Sequence, residues 1–207
     1  MTLFATVSAY IDQRVEEFDR IQGSRKQSLD EIARYVTEQV EGGRKSRLTF
    51  VCTHNSRRSQ ISQCWARTAA TRYGFAGVET FSGGTEITAF NPRAVEALKR
   101  AGFAIDTEPA GENPVYLVHD GSDAPEMRAF SKIHDQAPNP TEEFCAVMTC
   151  SSADANCPVV PGASMRISIF YDDPGEADGT TDEDEAYDRC CRRISREMLY
   201  LFASVRA

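Results

Sequence analysis

A cysteine and an arginine bracket five residues in Cys52-Thr-His-Asn-Ser-Arg-Arg58, with Ser59 next in line and the apolar run Leu48-Thr-Phe-Val51 directly before. A loop that leaves a strand and enters a helix turns its backbone N–H groups inward, and the helix N-terminus adds positive potential where a tetrahedral anion would sit. The same field favours the thiolate of Cys52, which is the nucleophilic form. Arg58 can clamp two oxyanion oxygens bidentately and Ser59 can hydrogen-bond the sulfur, while Thr53, His54, Asn55, Ser56 and Arg57 complete the binding loop. A cysteine after a strand is otherwise just a small buried hydrophobe. The arginine six residues on, the serine and the helical pattern behind them argue for chemistry instead.

The elements that must hold this loop are legible around it. Ser59 to Tyr73 reads as a helix with Ile61, Trp65 and Ala69 on one side, Val78 to Ser82 as a strand, and Pro92 opens a helix through Leu98 that ends at Gly102. Phe144 to Thr149 and Arg166 to Phe170 read as strands, and a final helix turns Ile194, Met198, Leu201 and Phe202 inward. This alternation predicts an α/β fold: a doubly wound, four-stranded parallel sheet with helices on both faces. Ligands in such sheets bind outside the carboxyl ends of the strands. Cys52, Cys150 and Asp173 each follow a predicted strand, so the three are expected at one edge.

Two regions flank or interrupt that core. Residues 1–46 predict a helical extension, two amphipathic helices within 4–41 separated at Gly23-Ser24 and stopped by Gly42-Gly43, folded as a hairpin on the catalytic domain or serving as a homodimer surface. Residues 47–207 form the catalytic domain, interrupted over about 107–140 by short β-like pieces, Val115–Val118 and Met127–Ile133, expected to form an inserted hairpin or lid. The acid-rich stretch from Glu176 to Glu185 reads as a solvated loop leading into a helix start.

Composition narrows the partners. At 207 residues the chain can bury a full core, and a formal charge of -8 with no basic stripe argues against nucleic acid. Neither a leader nor a membrane span is apparent, so a cytoplasmic protein is expected. The seven cysteines, at 52, 64, 145, 150, 157, 190 and 191, are then reduced rather than a disulfide framework. No Cys-x2-Cys pair occurs and His54, His119 and His134 show no ligand spacing, so no metal site is expected.

The chain resembles the low-molecular-weight protein tyrosine phosphatase superfamily, and within it the thioredoxin-coupled arsenate reductases. The matching stretches are Cys52 to Gln60, Phe81-Ser-Gly-Gly-Thr-Glu86, Asn91-Pro-Arg-Ala-Val95, Cys150-Ser-Ser-Ala-Asp-Ala-Asn-Cys157-Pro158 and Asp172-Asp173-Pro174. The resemblance covers roughly residues 47–205 and implies a nucleophilic Cys52, an oxyanion clamp in Arg58, a thiolate partner in Ser59, a loop stabiliser in Asn55 and a general acid in Asp173, with Asp172 as the fallback. It also implies a three-thiol relay. Cys52 would attack arsenate, Cys150 would attack the sulfur of the adduct and release arsenite, and Cys157 would resolve the Cys52–Cys150 disulfide, leaving a Cys150–Cys157 bond for thioredoxin to reduce. No bound cofactor is expected beyond a potassium ion, for which Asn55 and Ser82 match but Gln63 replaces a glutamate. Arg57 stands where reductases commonly carry another cysteine, and His54 where a glycine is usual.

Two further expectations concern the relay and the substrate. A helical 150–157 segment would hold the two thiols' Cα atoms ~10 Å apart, whereas a disulfide needs roughly 4.4–6.8 Å, so the segment must loop or unwind on oxidation. Gly175 and Glu176 follow Asp173-Pro174 where family phosphatases place aromatic residues, which favours a small inorganic anion over a phosphotyrosine ring. Arsenate reduction is the leading expectation, with hydrolysis of phosphate monoesters through a phosphocysteine as the alternative and a thiolate-based anion or redox sensor as a third.

Overall fold

The computed structural model describes residues 2–108 and 111–206. In chain order its elements are α1 (Ala5–Val15), α2 (Gly23–Glu41), β1 (Ser46–Cys52), α3 (Arg58–Arg72), β2 (Val78–Gly84), α4 (Pro92–Arg100) and β3 (Ala104–Glu108). There follow β4 (Val115–His119), β5 (Met127–Ala129), β6 (Phe144–Met148), α5 (Ser151–Asn156), β7 (Ala163–Ser168) and α6 (Glu183–Ala203). Four strands form a parallel sheet in the order β2-β1-β6-β7, flanked by helices as expected. The chain leaves β1 for β2 on one side and returns to β6 on the other, so β1 and β6 bound the switch point where such sheets hold ligands.

The β6 sequence shows why the sheet is buried on both faces. All five of its residues are apolar and buried, with Cys145 and Val147 in one core and Phe144, Ala146 and Met148 in another. The larger core lies among α1, α2, α3, α4 and α6. The smaller holds Val51, Cys52, Cys150, Ala153 and Val160 with the three β6 residues, beneath α5. Local signals fix the helix ends: Asn91 Oδ1 accepts the Arg93 amide at 2.9 Å behind Pro92, and Gly102 ends α4's exit turn at φ 107°.

The N-terminal helices pack on the domain that follows them, one of the two arrangements expected. Both pack on α6, and Val7, Ile11, Leu29, Ile32 and Val36 are fully buried in the same core as Leu48 and Phe50. Their apolar faces are thus covered within the chain. The break lies between Val15 and Gly23, around a short 3₁₀ turn at Phe18–Arg20, and Gly23-Ser24 begins α2 instead of ending α1. First-turn amides need no intrahelical partner, so poor helix formers are tolerated there.

The expected insert is a three-stranded antiparallel sheet in the order β3-β4-β5, and its first strand starts at Ala104, upstream of residue 107. Only Met127–Ala129 of the expected Met127–Ile133 piece is strand. The residues after it run along the end of β2, where the Gly84 amide donates to Lys132 O at 2.8 Å and the His134 amide to Gly84 O at 3.0 Å. The segment is a wall beside the cysteine loop, not a lid. The last strand, β7, also ends earlier than Phe170, leaving Ile169 to Asp173 as a connection toward the same edge.

Candidate active site

The Cys52 loop is held by its carbonyls. Thr53 O accepts the Thr85 and Glu86 amides at 2.8 and 2.9 Å, His54 O accepts the Ser131 hydroxyl at 2.8 Å, Asn55 O accepts Gln60 Nε2 at 3.1 Å, and Ser56 O accepts the Asn91 amide at 2.9 Å. Among the described residues, none of the amides of residues 54–59 donates to another protein group. With four successive carbonyls bonded outward, these N–H groups are left available to the loop's interior, the arrangement an anion cradle requires. Asn55 sits at φ 46°, a left-handed conformation that asparagine tolerates better than most residues. Close approach also demands Gly84, where a Cβ would lie 2.6 Å from the carbonyl oxygens of Thr53 and Glu86.

At the floor of the loop, Cys52 Sγ and Ser59 Oγ are 3.0 Å apart, and Asn55 Nδ2 donates to Ser59 Oγ at 2.9 Å. With Asn55 donating to it, the Ser59 hydroxyl can direct its own proton at the sulfur, which stabilises a thiolate. Asn55 is itself clamped, since its Oδ1 accepts the Lys132 amide at 3.0 Å. The Cys52, Asn55 and Ser59 side chains are all buried.

Asp173 closes the site from β7's side. Arg58 Nη2 donates to Asp173 Oδ2 at 2.8 Å and Arg58 Nη1 to Tyr171 O at 3.1 Å, while Arg57 Nε lies 3.0 Å from Asp173 Oδ1. Asp173 also accepts the Gly175 amide at 3.1 Å, starting a short 3₁₀ turn. Asp172, by contrast, is fully exposed and pairs with Arg193 at 3.3 Å. Of the loop's side chains expected to meet substrate, two point elsewhere. His54 reaches out to Glu86 at 3.3 Å, and Arg57 binds the acid segment instead of lining the cradle. Burial opposes the Arg57 charge, but Asp173, Tyr187 and Asp178 outweigh it and raise its pKa.

The second and third thiols lie beside the first. Cys150 caps α5, with the Ala153 amide 3.4 Å from its sulfur, and its Sγ is 3.5 Å from Thr53 Oγ1 in the loop. Cys52 and Cys150 share the small core beneath α5, and Cys157 packs against it. The 150–157 segment is helical over Ser151–Asn156, despite its weak helix formers, because Arg166 secures it: Nη2 donates to Asp154 Oδ1 at 2.6 Å and Nε to Cys157 O at 3.1 Å. Cys157 is partly exposed, and its partial burial raises the thiol's pKa against the pull of Arg166. The other four thiols are buried among apolar groups. Burial lifts Cys190 to about 12 and Cys191 to about 11, and moves Cys64 and Cys145 further still, which keeps all four protonated and inert.

The residues expected around potassium are engaged with the protein. Asn55 uses both its amide atoms, and Ser82 donates its hydroxyl to Gln60 Oε1 at 3.2 Å while its carbonyl accepts Asn139 Nδ2 at 2.9 Å. Gln63 donates to Thr80 O at 3.1 Å. Of the three residues expected around the ion, only Gln63 offers a buried oxygen without a partner.

This geometry can be set beside known proteins. The low molecular weight phosphotyrosine protein phosphatase family matches over residues 47–114. An arsenate reductase of Bacillus subtilis is 30% identical over 138 residues, covering 67% of this chain and 81% of the relative. The chain belongs to the low-molecular-weight phosphotyrosine phosphatase superfamily and is related to arsenate reductases. A second relative in this superfamily, an arsenate reductase of Bacillus licheniformis, is 27% identical over 159 residues, 77% of this chain and 96% of its own. The fold is shared with a low molecular weight phosphotyrosine phosphatase of Vibrio cholerae O395, at a TM-score of 0.51 and 15% identity over 77% of this chain and 95% of that one. The family match begins inside β1, so α1 and α2 lie outside it.

Several residues that hold the site carry no signal in the sequence. Gln60 ties Asn55 O to Phe130 O, Ser131 holds His54 O, the Lys132 amide holds Asn55 Oδ1, Asn139 joins Ser82 O to the wall at Ile133 O and His134 O, and Tyr171 anchors Arg58 by its carbonyl. Gln60 alone lies close enough in sequence to be suspected.

Proposed function

We propose that the protein is an arsenate reductase. The observation that carries this reading is the shared small core in which Cys52, Cys150 and Cys157 meet at the carboxyl ends of β1 and β6. The Cys52 thiolate attacks the arsenic of arsenate, and the displaced oxygen leaves as water with a proton from Asp173. The cradle amides and Arg58 balance the charge of the remaining oxygens. Cys150 then attacks the Cys52 sulfur, the electron pair of the sulfur–arsenic bond departs with arsenite, and arsenic is reduced by two electrons as the Cys52–Cys150 disulfide forms. Attack by Cys157 on Cys150 returns the Cys52 thiolate and leaves a Cys150–Cys157 disulfide. A dithiol protein of the thioredoxin class supplies the two electrons that reset it. For that last bond α5 must release Arg166 and unwind, since its helical span exceeds a disulfide's reach.

Phosphate monoester hydrolysis is the second reading, and the arrangement of Cys52, Arg58 and Asp173 favours it, because those three groups suffice for a phosphocysteine route. One experiment separates the two. Steady-state arsenate reduction is followed with thioredoxin, thioredoxin reductase and NADPH, beside p-nitrophenyl phosphate hydrolysis on the same preparation. Robust NADPH oxidation that depends on arsenate supports the reductase; hydrolysis alone overturns it in favour of the phosphatase.

A further inference from the structure

We propose that Arg25, in the first turn of α2, is a positioning residue for Arg58 and Asp173, which makes the N-terminal extension part of the catalytic apparatus. This role rests on the oxyanion reading of the Cys52 loop. Arg25 Nη2 donates to Phe170 O, and Arg58 Nη1 donates to the next carbonyl, Tyr171 O, at 3.1 Å. Two arginines, one from the extension and one from the cradle, therefore grip consecutive peptide groups. The buried Tyr171 ring sits near both the Arg25 guanidinium, 5.4 Å from its centroid, and that of Arg193, at 5.6 Å. Both arginines turn to one buried carboxylate, with Glu197 Oε1 3.7 Å from Arg25 Nε and 3.4 Å from Arg193 Nε.

From there the contacts continue without interruption into the site. Asp172 pairs with Arg193, and Asp173 with Arg57 and Arg58. Each of residues 170–173 is held by an arginine, and Arg25 supplies the upstream end of that series. A buried ion-pair cluster of this kind is weak evidence of a purely stabilising role, since well-packed apolar residues often serve stability as well. Arginine's planar fork lets Arg25 hold a carbonyl, face a ring and meet a carboxylate together, which lysine cannot do. Losing it leaves the Phe170–Tyr171 peptide tethered by the Tyr171 amide to Thr149 O at 3.1 Å but no longer gripped at its carbonyl, so the next carbonyl, which aims Arg58, can shift.

The test reads the cradle directly. Inorganic phosphate is titrated against the rate at which iodoacetamide alkylates Cys52, followed by peptide mass spectrometry well below the thermal midpoint, in the wild type, Arg25→Ala, Arg25→Lys and Arg20→Ala. Arg20 is an exposed neighbour paired with Glu17 and serves as the control. The expected result is a roughly tenfold weaker protection constant in Arg25→Ala, an intermediate one in Arg25→Lys, and no change in Arg20→Ala. Protection in Arg25→Ala equal to the wild type overturns the role of Arg25, even if the thermal midpoint falls, because that pattern is purely structural. Should Arg25→Ala not fold, Arg25→Lys decides by the same comparison. Absent protection in the wild type overturns the oxyanion reading itself, and with it this role.

Discussion

On one face of the parallel sheet, Leu48, Phe50, Cys145 and Val147 look into a core closed by α2, α3 and α6, whereas on the other, Val51, Phe144, Ala146 and Met148 are covered by the six residues of α5 and by Val160. The Cys52 loop joins the two, its cysteine in the second core and the helix behind it on the first face. Its helix, α3, is buried on almost every side, and Trp65 stacks on Tyr10 at 5.2 Å while meeting Phe103 edge-on at 4.9 Å. The thiols lie on the second. Elements with few apolar contacts open locally at lower free energy than the global fold, so a thick face suits a rigid oxyanion site and a thin one suits the unwinding of α5 that the proposed relay calls for.

The largest expected effect tests whether the thin face carries the relay. Cys150→Ser should lower arsenate turnover by about 10³-fold or more, since the disulfide-forming step has no substitute nucleophile, while p-nitrophenyl phosphate hydrolysis and the thermal midpoint stay within error. Steady-state assays on the same preparation check this. Survival of both activities would break the assignment of the second thiol.

The next effect concerns stability and sets the faces against each other. Trp65→Ala, on the thick face, should cost about 3–5 kcal/mol, including the hydrogen bond from its indole to Cys191 Sγ at 3.1 Å. Val160→Ala, on the thin face, should cost about 1 kcal/mol. Urea unfolding midpoints measure both, and equal losses would abolish the distinction between the faces.

Those two faces were unequally legible in the sequence. The thick one follows from local pattern: the apolar run of β6, the periodicity of α6 and the residue types at fixed spacing in the Cys52 loop each reflect an interaction within one element. Cys150 and Cys157 gain meaning only beside a family pattern, because a cysteine pair seven residues apart has no intrinsic chemistry. His54 and Arg57 were placed in the cradle by position alone, and the structure turns them to Glu86 and Asp173, the latter 116 residues further along. Arg25 and the Phe170 carbonyl are 145 residues apart, and no spacing rule links a helix start to a backbone oxygen at that distance. The insert expected over about 107–140 was legible as β-like pieces, but its place as a wall beside the loop was not, for a related reason. Its bonds to the loop run through backbone atoms of Lys132 and His134, which side-chain patterns do not report.

Asp173→Asn sharpens the junction between the faces. An amide keeps the shape and can still meet Arg58, but it has no proton to give to a leaving oxygen. The expected loss is about 10²-fold in the chemical step, equivalent to about 2.7 kcal/mol, with phosphate protection of Cys52 retained. Rapid-quench measurement of the first turnover isolates that step. An unchanged rate would move the acid to Asp172 or to water.

The smallest effect probes a charge buried beside the rigid cradle. Lys132 is 4% exposed, its ammonium donating, among the described residues, only to Phe130 O at 3.2 Å, and burial pushes its pKa down to about 8 from 10.5. Between those two values the unfolded chain binds the extra proton, so stability should rise with pH across that window, and the cost of burying the charge is present in full below it. Lys132→Met should therefore stabilise the fold at pH 7 by about 1–2 kcal/mol, allowing for the lost hydrogen bond and the contact with the Phe130 ring. The gain should shrink steadily as the pH is raised toward 10.5, which thermal unfolding across pH 7–10 would follow. Catalysis should be unaffected, because Asn55 is held by the Lys132 amide and not by its side chain. A variant that gains stability equally at every pH would show that the thick face carries no charge penalty here, and that Lys132 contributes only its length.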